Sequence, residues 1–101
     1  MEKKYKTFAE FYPFYLAEHS DSNCRRLHFA GSLLVIALLG YVFASQKWAM
    51  LLLLPVIGYG FAWIGHFVFE KNRPATFTYP LFSFMGDWVM FKDILTGKVK
   101  F

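Results

Sequence analysis

Two long uncharged runs dominate the pattern of apolar and polar positions. Residues 29–45 carry no charge, and residues 48–69 carry none either, interrupted only by His66. Gln46-Lys47 is the only polar break between them. The first run, at 17 residues, is at the lower limit for a helix that crosses a bilayer. Two such runs joined by so short a break predict an antiparallel helical hairpin. Pro55, Gly58 and Gly60 would weaken a soluble helix but are common in membrane ones. Gly58, Ala62 and His66 form a small-residue line that lets a neighbouring helix approach closely.

Shorter helices flank the hairpin. Phe8, Phe11, Tyr12, Tyr15 and Leu16 recur at helical spacing and predict a helix over 8–18, with Thr7 as its cap and Glu10 completing a capping box. Pro13 falls inside that pattern, so it is expected to kink the helix or delay its start to Tyr12. Ser22 or Asn23 is the expected cap of the first long helix. Pro80 suits the first turn of a third apolar helix, which runs to about Thr96 and ends at Gly97. Its apolar part is too short to span, and Asp87 lies in its middle. The expected fold class is therefore all-α: an integral membrane bundle of two spanning helices as a hairpin, an N-terminal interfacial helix, and a C-terminal re-entrant or interfacial helix. Residues 1–101 are read as one domain.

Composition strengthens the membrane reading. Of the 101 residues 56% are apolar and 22% aromatic, against 18% charged. A soluble domain of this size has little interior for so many rings, and a lipid-facing surface is the simpler home. The net charge is +4, but the basic residues do not interleave with aromatics as nucleic-acid binding requires, so no nucleic-acid partner is expected. Of the eleven lysines and arginines, Lys47 alone lies at the hairpin tip. The positive-inside rule then puts both termini in the cytoplasm. A chain this short points to a bacterial inner membrane rather than the endoplasmic reticulum. The first apolar stretch is too broken by charge to be a signal peptide. The single Cys24 excludes an internal disulfide.

The candidate chemistry lies in three histidines. His28 and His66 are each nineteen residues from Lys47, so an unkinked hairpin puts them at matching depth, roughly 28 Å from the tip. His19 lies in the polar turn before the first long helix and can reach the same region. Three imidazoles with nearby carboxylates make a plausible metal site, though imidazole suits zinc, iron and nickel alike. The plainer readings stand beside this one. A lone interfacial histidine is more often hydrogen-bonded than a ligand. Glu70, one turn past His66, has Arg73, Arg25 or Arg26 to pair with. Asn72-Arg73-Pro74 reads as a helix stop, and the small-residue line allows a homodimer without requiring one.

Several blocks carry a resemblance. Phe11-Tyr12-Pro13-Phe14-Tyr15-Leu16-Ala17-Glu18-His19, Asn23-Cys24-Arg25-Arg26-Leu27-His28, Gly65-His66-Phe67-Val68-Phe69-Glu70-Lys71-Asn72-Arg73-Pro74-Ala75-Thr76-Phe77, Tyr79-Pro80-Leu81-Phe82-Ser83 and Gly86-Asp87 resemble the Mpo1-like family over nearly the whole chain. Only about residues 32–57 lack a recognisable pattern. The resemblance implies an Fe(II)-dependent dioxygenase of fatty-acid α-oxidation, which uses O2 to shorten a 2-hydroxy fatty acid by one carbon. It implies that His19, His28 and His66 are the catalytic, metal-binding residues.

Iron held by three histidines keeps about three positions open. A 2-hydroxy acid can fill two of them through carboxylate and hydroxyl, leaving one for O2. Glu18, Glu70 and Asp87 are candidates for an outer shell or a fourth ligand, and Arg25, Arg26 and Arg73 for holding a carboxylate. Two other classes compete: a non-catalytic membrane hairpin or scaffold, and a metal-dependent lipid hydrolase with zinc in the same place.

Overall fold

The computed structural model describes residues 4–101; Lys3, one of the basic residues counted above, lies outside them. Among the described residues there is no strand. Helix α1 spans Phe8–Ala17. Its start is fixed by the expected capping box: Glu10 N donates to Thr7 Oγ1 at 3.2 Å, and Thr7 N donates to Glu10 Oε1 at 3.2 Å. Pro13 does not delay that start; it sits inside the helix. The lost backbone bond is offset by packing, because Phe11 and Tyr15 on either side of it are fully buried. Each is worth about 2 kcal/mol of apolar burial. Their partners are Tyr79 and Met90, with Tyr5, Phe8 and Phe82 around them.

Helix α2 spans Ser22–Ser45. Its cap is Asp21, not Ser22 or Asn23. The Asp21 carboxylate accepts from Asn23 N at 2.8 Å and Cys24 N at 3.2 Å, satisfying two orphan donors and complementing the helix dipole. Gln46 ends the helix in the left-handed region at φ 60°, and Lys47 follows at the tip.

The return rod runs from Trp48 to Glu70 in three textures: a 3-10 turn over Trp48–Leu52, helix α3 over Leu53–Ile64, and a π-helical segment over Gly65–Glu70. Because α3 proper starts at Leu53, Pro55 falls in its first turn, where a missing N–H removes no helical bond. Both the Ser22–Ser45 and Trp48–Glu70 segments are long and apolar enough to cross a membrane. Both carry exposed large apolar side chains, among them Ile36, Phe43, Leu52, Val56, Phe67 and Val68.

A 3-10 turn over Ala75–Phe77 then leads to α4, Pro80–Leu95, with Pro80 in its first turn. Gly97, at φ +83°, closes α4 in the position where glycine is favoured. Close helix contacts are made at three glycines. A Cβ on Gly65 would meet Cys24 Sγ at 2.9 Å, one on Gly31 would meet Phe61 Cβ at 2.9 Å, and one on Gly86 would meet the Tyr15 ring at 2.9 Å. Within the anticipated small-residue line, a Cβ on Gly58 would meet only Val35 Cγ2, at an ordinary 3.7 Å. The close approach lies nearer the histidine end.

Candidate metal centre

The three histidines meet. The rings of His28 and His66 are 5.0 Å apart between centroids, and His19 lies 4.4 Å from each. All three are buried, at 1%, 6% and 2% exposure for His19, His28 and His66. Each is delivered by a different element: His19 from the turn after α1, His28 from the second turn of α2, His66 from the π-helical segment.

Their outward nitrogens are all tied to oxygen. His19 Nδ1 lies 2.6 Å from the Tyr15 carbonyl, and His28 Nδ1 lies 2.8 Å from the Cys24 carbonyl. His66 Nδ1 lies 2.8 Å from Asn72 Oδ1. The Asn72 amide is oriented by Nδ2 donating to the Glu18 carbonyl at 3.2 Å, which leaves its oxygen facing His66. These oxygens can only accept. Each Nδ1 therefore carries the hydrogen, and each neutral ring keeps its lone pair on Nε2. His19 Nε2 and His28 Nε2 then face each other at 3.0 Å. Two lone pairs at that distance repel unless a cation lies between them. Burial, and after it the neighbouring rings of His28 and His66, hold His19 well below the usual histidine range, so a second proton on that ring is not the ready answer. A metal ion could be that cation, and imidazoles whose far nitrogen is anchored on oxygen are the usual form of such a site.

The π-helical segment explains the placement of His66. It ends at Lys71, in the left-handed region at φ 58°. The Lys71 N–H and the Asn72 N–H, the latter at 3.0 Å, both donate to the His66 carbonyl. The same turn thus grips His66 by its backbone and, through the Asn72 side chain, by its ring. Such wide turns recur at functional sites.

Cys24 joins the cluster. One donor atom from each of His19, Cys24, His28 and His66 lies within 4.8 Å of the others, and the four could hold a metal ion. Cys24 Sγ is 3.7 Å from His28 Nδ1. In the sequence, Cys24 bears only on disulfides and Asn72 only on stopping a helix. The spacing of Cys24, four residues before His28 on one helical face, was a usable signal. Asn72 had none, because its reach depends on the left-handed turn at Lys71.

The acidic candidates are dispersed around the cluster. Glu70 accepts from the Asp21 N–H and from Ser20 Oγ at 3.3 Å, tying the π-helical segment to the turn that holds His19. The one ion pair among the described residues is Lys92–Asp93 at 3.0 Å, so Glu70 takes this turn in place of an arginine. Asp87 accepts from the Tyr15 hydroxyl, and burial pushes its carboxyl up to about 7. Tyr15 in turn stacks on His19 with centroids 4.0 Å apart. Glu18 offers its backbone carbonyl to Asn72, as described.

The arginines lie at the periphery. Arg25 Nη1 donates to the His19 and Ser20 carbonyls at 2.9 and 2.7 Å, and its Nε to the Lys100 carbonyl at 2.8 Å. The Arg26 and Arg73 guanidinium groups lie over the rings of Phe101 and Phe77 at 5.2 and 5.8 Å.

Two spaces touch the histidines, and a third adjoins them. A void of about 10 Å³ is bordered by His19, His28, His66, Ser83 and Asp87. An apolar groove of about 390 Å³ shares His28 and Asp87 with it and runs between the hairpin helices and α4 past Val35, Leu39, Leu54 and Trp88. A cleft of about 470 Å³ lined by Glu18, Arg73 and Tyr79 borders it across Pro74 and Ala75.

A family model described as 2-hydroxy-palmitic acid dioxygenase Mpo1-like matches residues 5–99. The chain belongs to the Mpo1-like family. No curated protein matches it, and no solved structure does.

Proposed function

We propose that this member of the Mpo1-like family is a membrane-embedded, Fe(II)-dependent dioxygenase that converts a 2-hydroxy fatty acid into the acid one carbon shorter. The observation that carries the reading is the convergence of three imidazoles whose Nδ1 atoms are all anchored on oxygen, with two Nε2 lone pairs 3.0 Å apart. His19, His28 and His66 would hold the iron, which supplies the electron that O2 needs in order to react with a closed-shell acid. The balance closes without a further reductant. One O2 takes the four electrons released as the C1–C2 bond breaks, C1 leaves as carbon dioxide, C2 becomes the new carboxyl carbon, and water carries away the remaining oxygen.

The rest of the chain serves this chemistry by binding and orientation. Asn72 and the Tyr15 and Cys24 carbonyls keep the rings turned inward. Tyr15 and Asp87 brace His19 from behind, with Glu70 fixing the turn that carries it. The groove past Val35, Leu39 and Leu54 takes the alkyl tail; its volume is in the range of ordinary ligand cavities. Arg73, on the cleft beyond Pro74, serves the carboxylate end. With the Ser22–Ser45 and Trp48–Glu70 segments across the bilayer and Lys47 alone at the tip, the site lies at the cytoplasmic interface. There an amphiphile keeps its head wet and its tail in lipid. A homodimer is not needed for any of these contacts.

Oxygen uptake by the detergent-purified, Fe(II)-loaded protein on addition of 2-hydroxyhexadecanoate tests the reading. Uptake matched by appearance of pentadecanoate supports it. No uptake, or equal uptake by His28→Ala, overturns it.

A further inference from the structure

Ser83 is buried to 2% exposure, and its hydroxyl has no hydrogen-bond partner. A helical serine usually bonds back to a carbonyl of the preceding turn. Here the backbone N–H of Ser83 takes the Tyr79 carbonyl at 2.9 Å, and Oγ takes none. The only other buried side-chain atom without a hydrogen bond among the described residues is Asp93 Oδ1. That atom has the Lys92 ammonium at 3.0 Å. Ser83 Oγ is therefore the orphan, and a buried unpaired hydroxyl is disfavoured unless something arrives to satisfy it.

Its position says what arrives. Ser83 borders the same void as His19, His28, His66 and Asp87. At about 10 Å³, that void is of the order of a single water, and the three histidines that border it would hold the metal there, so only a small polar group of a metal-bound acid can come up against Ser83. An alcohol oxygen fits, and a serine hydroxyl, donor and acceptor at once, matches it in either sense. Resting on the 2-hydroxy acid reading, we propose that Ser83 Oγ binds the substrate's 2-hydroxyl and so sets the preference for hydroxylated over plain fatty acids. A site built to hydrogen-bond a substrate hydroxyl discriminates strongly against the analogue that lacks it, because the site's own polar group is then left unpaired.

The test compares equilibrium binding of 2-hydroxyhexadecanoate and hexadecanoate to the Co(II)-loaded protein in detergent, in which the d–d spectrum reports both metal and acid. The wild type should prefer the hydroxy acid by at least tenfold. Ser83→Ala should keep its Co(II) and its hexadecanoate affinity within about twofold while losing most of that preference. Ser83→Cys, which keeps the side-chain shape at a slightly larger volume and weakens the donor, should behave alike and guards against a folding defect in the alanine variant. A merely structural serine would weaken both acids equally. An unchanged preference in either variant overturns the Ser83 proposal and leaves the dioxygenase reading standing. A wild type that binds Co(II) but does not distinguish the two acids overturns both.

Discussion

His19 and His28 meet Nε2 to Nε2 at 3.0 Å, with both Nδ1 atoms anchored on backbone carbonyls. The pair needs a cation between its facing lone pairs, so the folded chain should take up a divalent metal and be stabilised by it. At a free metal concentration about 100 times its dissociation constant the gain is about 2.7 kcal/mol, read as a rise of several degrees in the melting temperature in mild detergent. His19→Ala and His28→Ala should lose the rise. Equal metal-dependent stabilisation in both variants would sink this account of the pair.

That meeting was legible in the sequence, and the reason is geometric. Equal spacing of His28 and His66 from Lys47 puts them level in any straight hairpin, and Pro55 falls in the first turn of α3. The capping box at Thr7 and Glu10 and the helix from Pro80 to Gly97 depend only on neighbours in sequence, and both were readable. What escaped depends on contacts across the fold. Asp21 outcompetes Ser22 for the cap of α2 although Glu70 holds its backbone. The π-helical widening at Gly65 has no periodic signature. Asn72 reaches His66 only through a left-handed residue, and Ser83 looks like any small helical residue until its missing partner is noticed.

Asn72 is the outer partner with the most to lose, since it bonds the His66 ring at 2.8 Å and the Glu18 carbonyl at 3.2 Å. Removing such a partner usually weakens metal binding by about 10- to 100-fold. Asn72→Leu should do so in a competitive chelator titration while leaving helix content by circular dichroism unchanged. A metal affinity within twofold of wild type would make Asn72 a helix stop and nothing more.

Glu70 separates structure from chemistry. Its carboxylate holds the Asp21 N–H and Ser20 Oγ, so Glu70→Ala strands a part-buried donor, at about 1–3 kcal/mol. The expected outcome is a lower melting temperature with metal stoichiometry intact, and Glu70→Gln should recover part of the loss. A loss of metal at unchanged stability would instead make Glu70 a ligand.

Gly86 transmits to the centre through Tyr15. A Cβ there would lie 2.9 Å from Tyr15 Cδ2 and 3.0 Å from Cε2, and that ring is fully buried with His19 stacked on it. The ring has nowhere to go, so Gly86→Ala should cost about 1–3 kcal/mol as overpacking and weaken metal binding as well. Gly40, whose added Cβ would meet nothing within 4 Å, is the control: Gly40→Ala should be neutral or slightly stabilising.

The pH dependence of stability in the metal-free protein sets two buried groups against each other. Burial and the neighbouring rings hold His19 well below the usual histidine range. Below about pH 6.5 the unfolded chain therefore binds a proton that the folded chain refuses, and stability rises with pH through that region. Asp87 acts with the opposite sign. Burial raises it to about 7, so between its ordinary value near 4 and pH 7 the folded chain keeps a proton that the unfolded chain has lost. Its contribution is fully present below about pH 4 and is lost as pH rises to 7, at no more than about 1.4 kcal/mol per pH unit. The two contributions act with opposite sign between pH 4.5 and 6.5. Asp87→Asn keeps an acceptor for the Tyr15 hydroxyl but removes the falling slope. Its stability should climb with pH across that window more steeply than that of the wild type, and the two curves should run parallel above about pH 7.5. Chemical denaturation in mild detergent with chelator, at half-unit steps of pH, measures both. Parallel curves throughout would mean that Asp87 titrates in the folded chain as it does in the unfolded one, and that its burial against Tyr15 carries no electrostatic consequence.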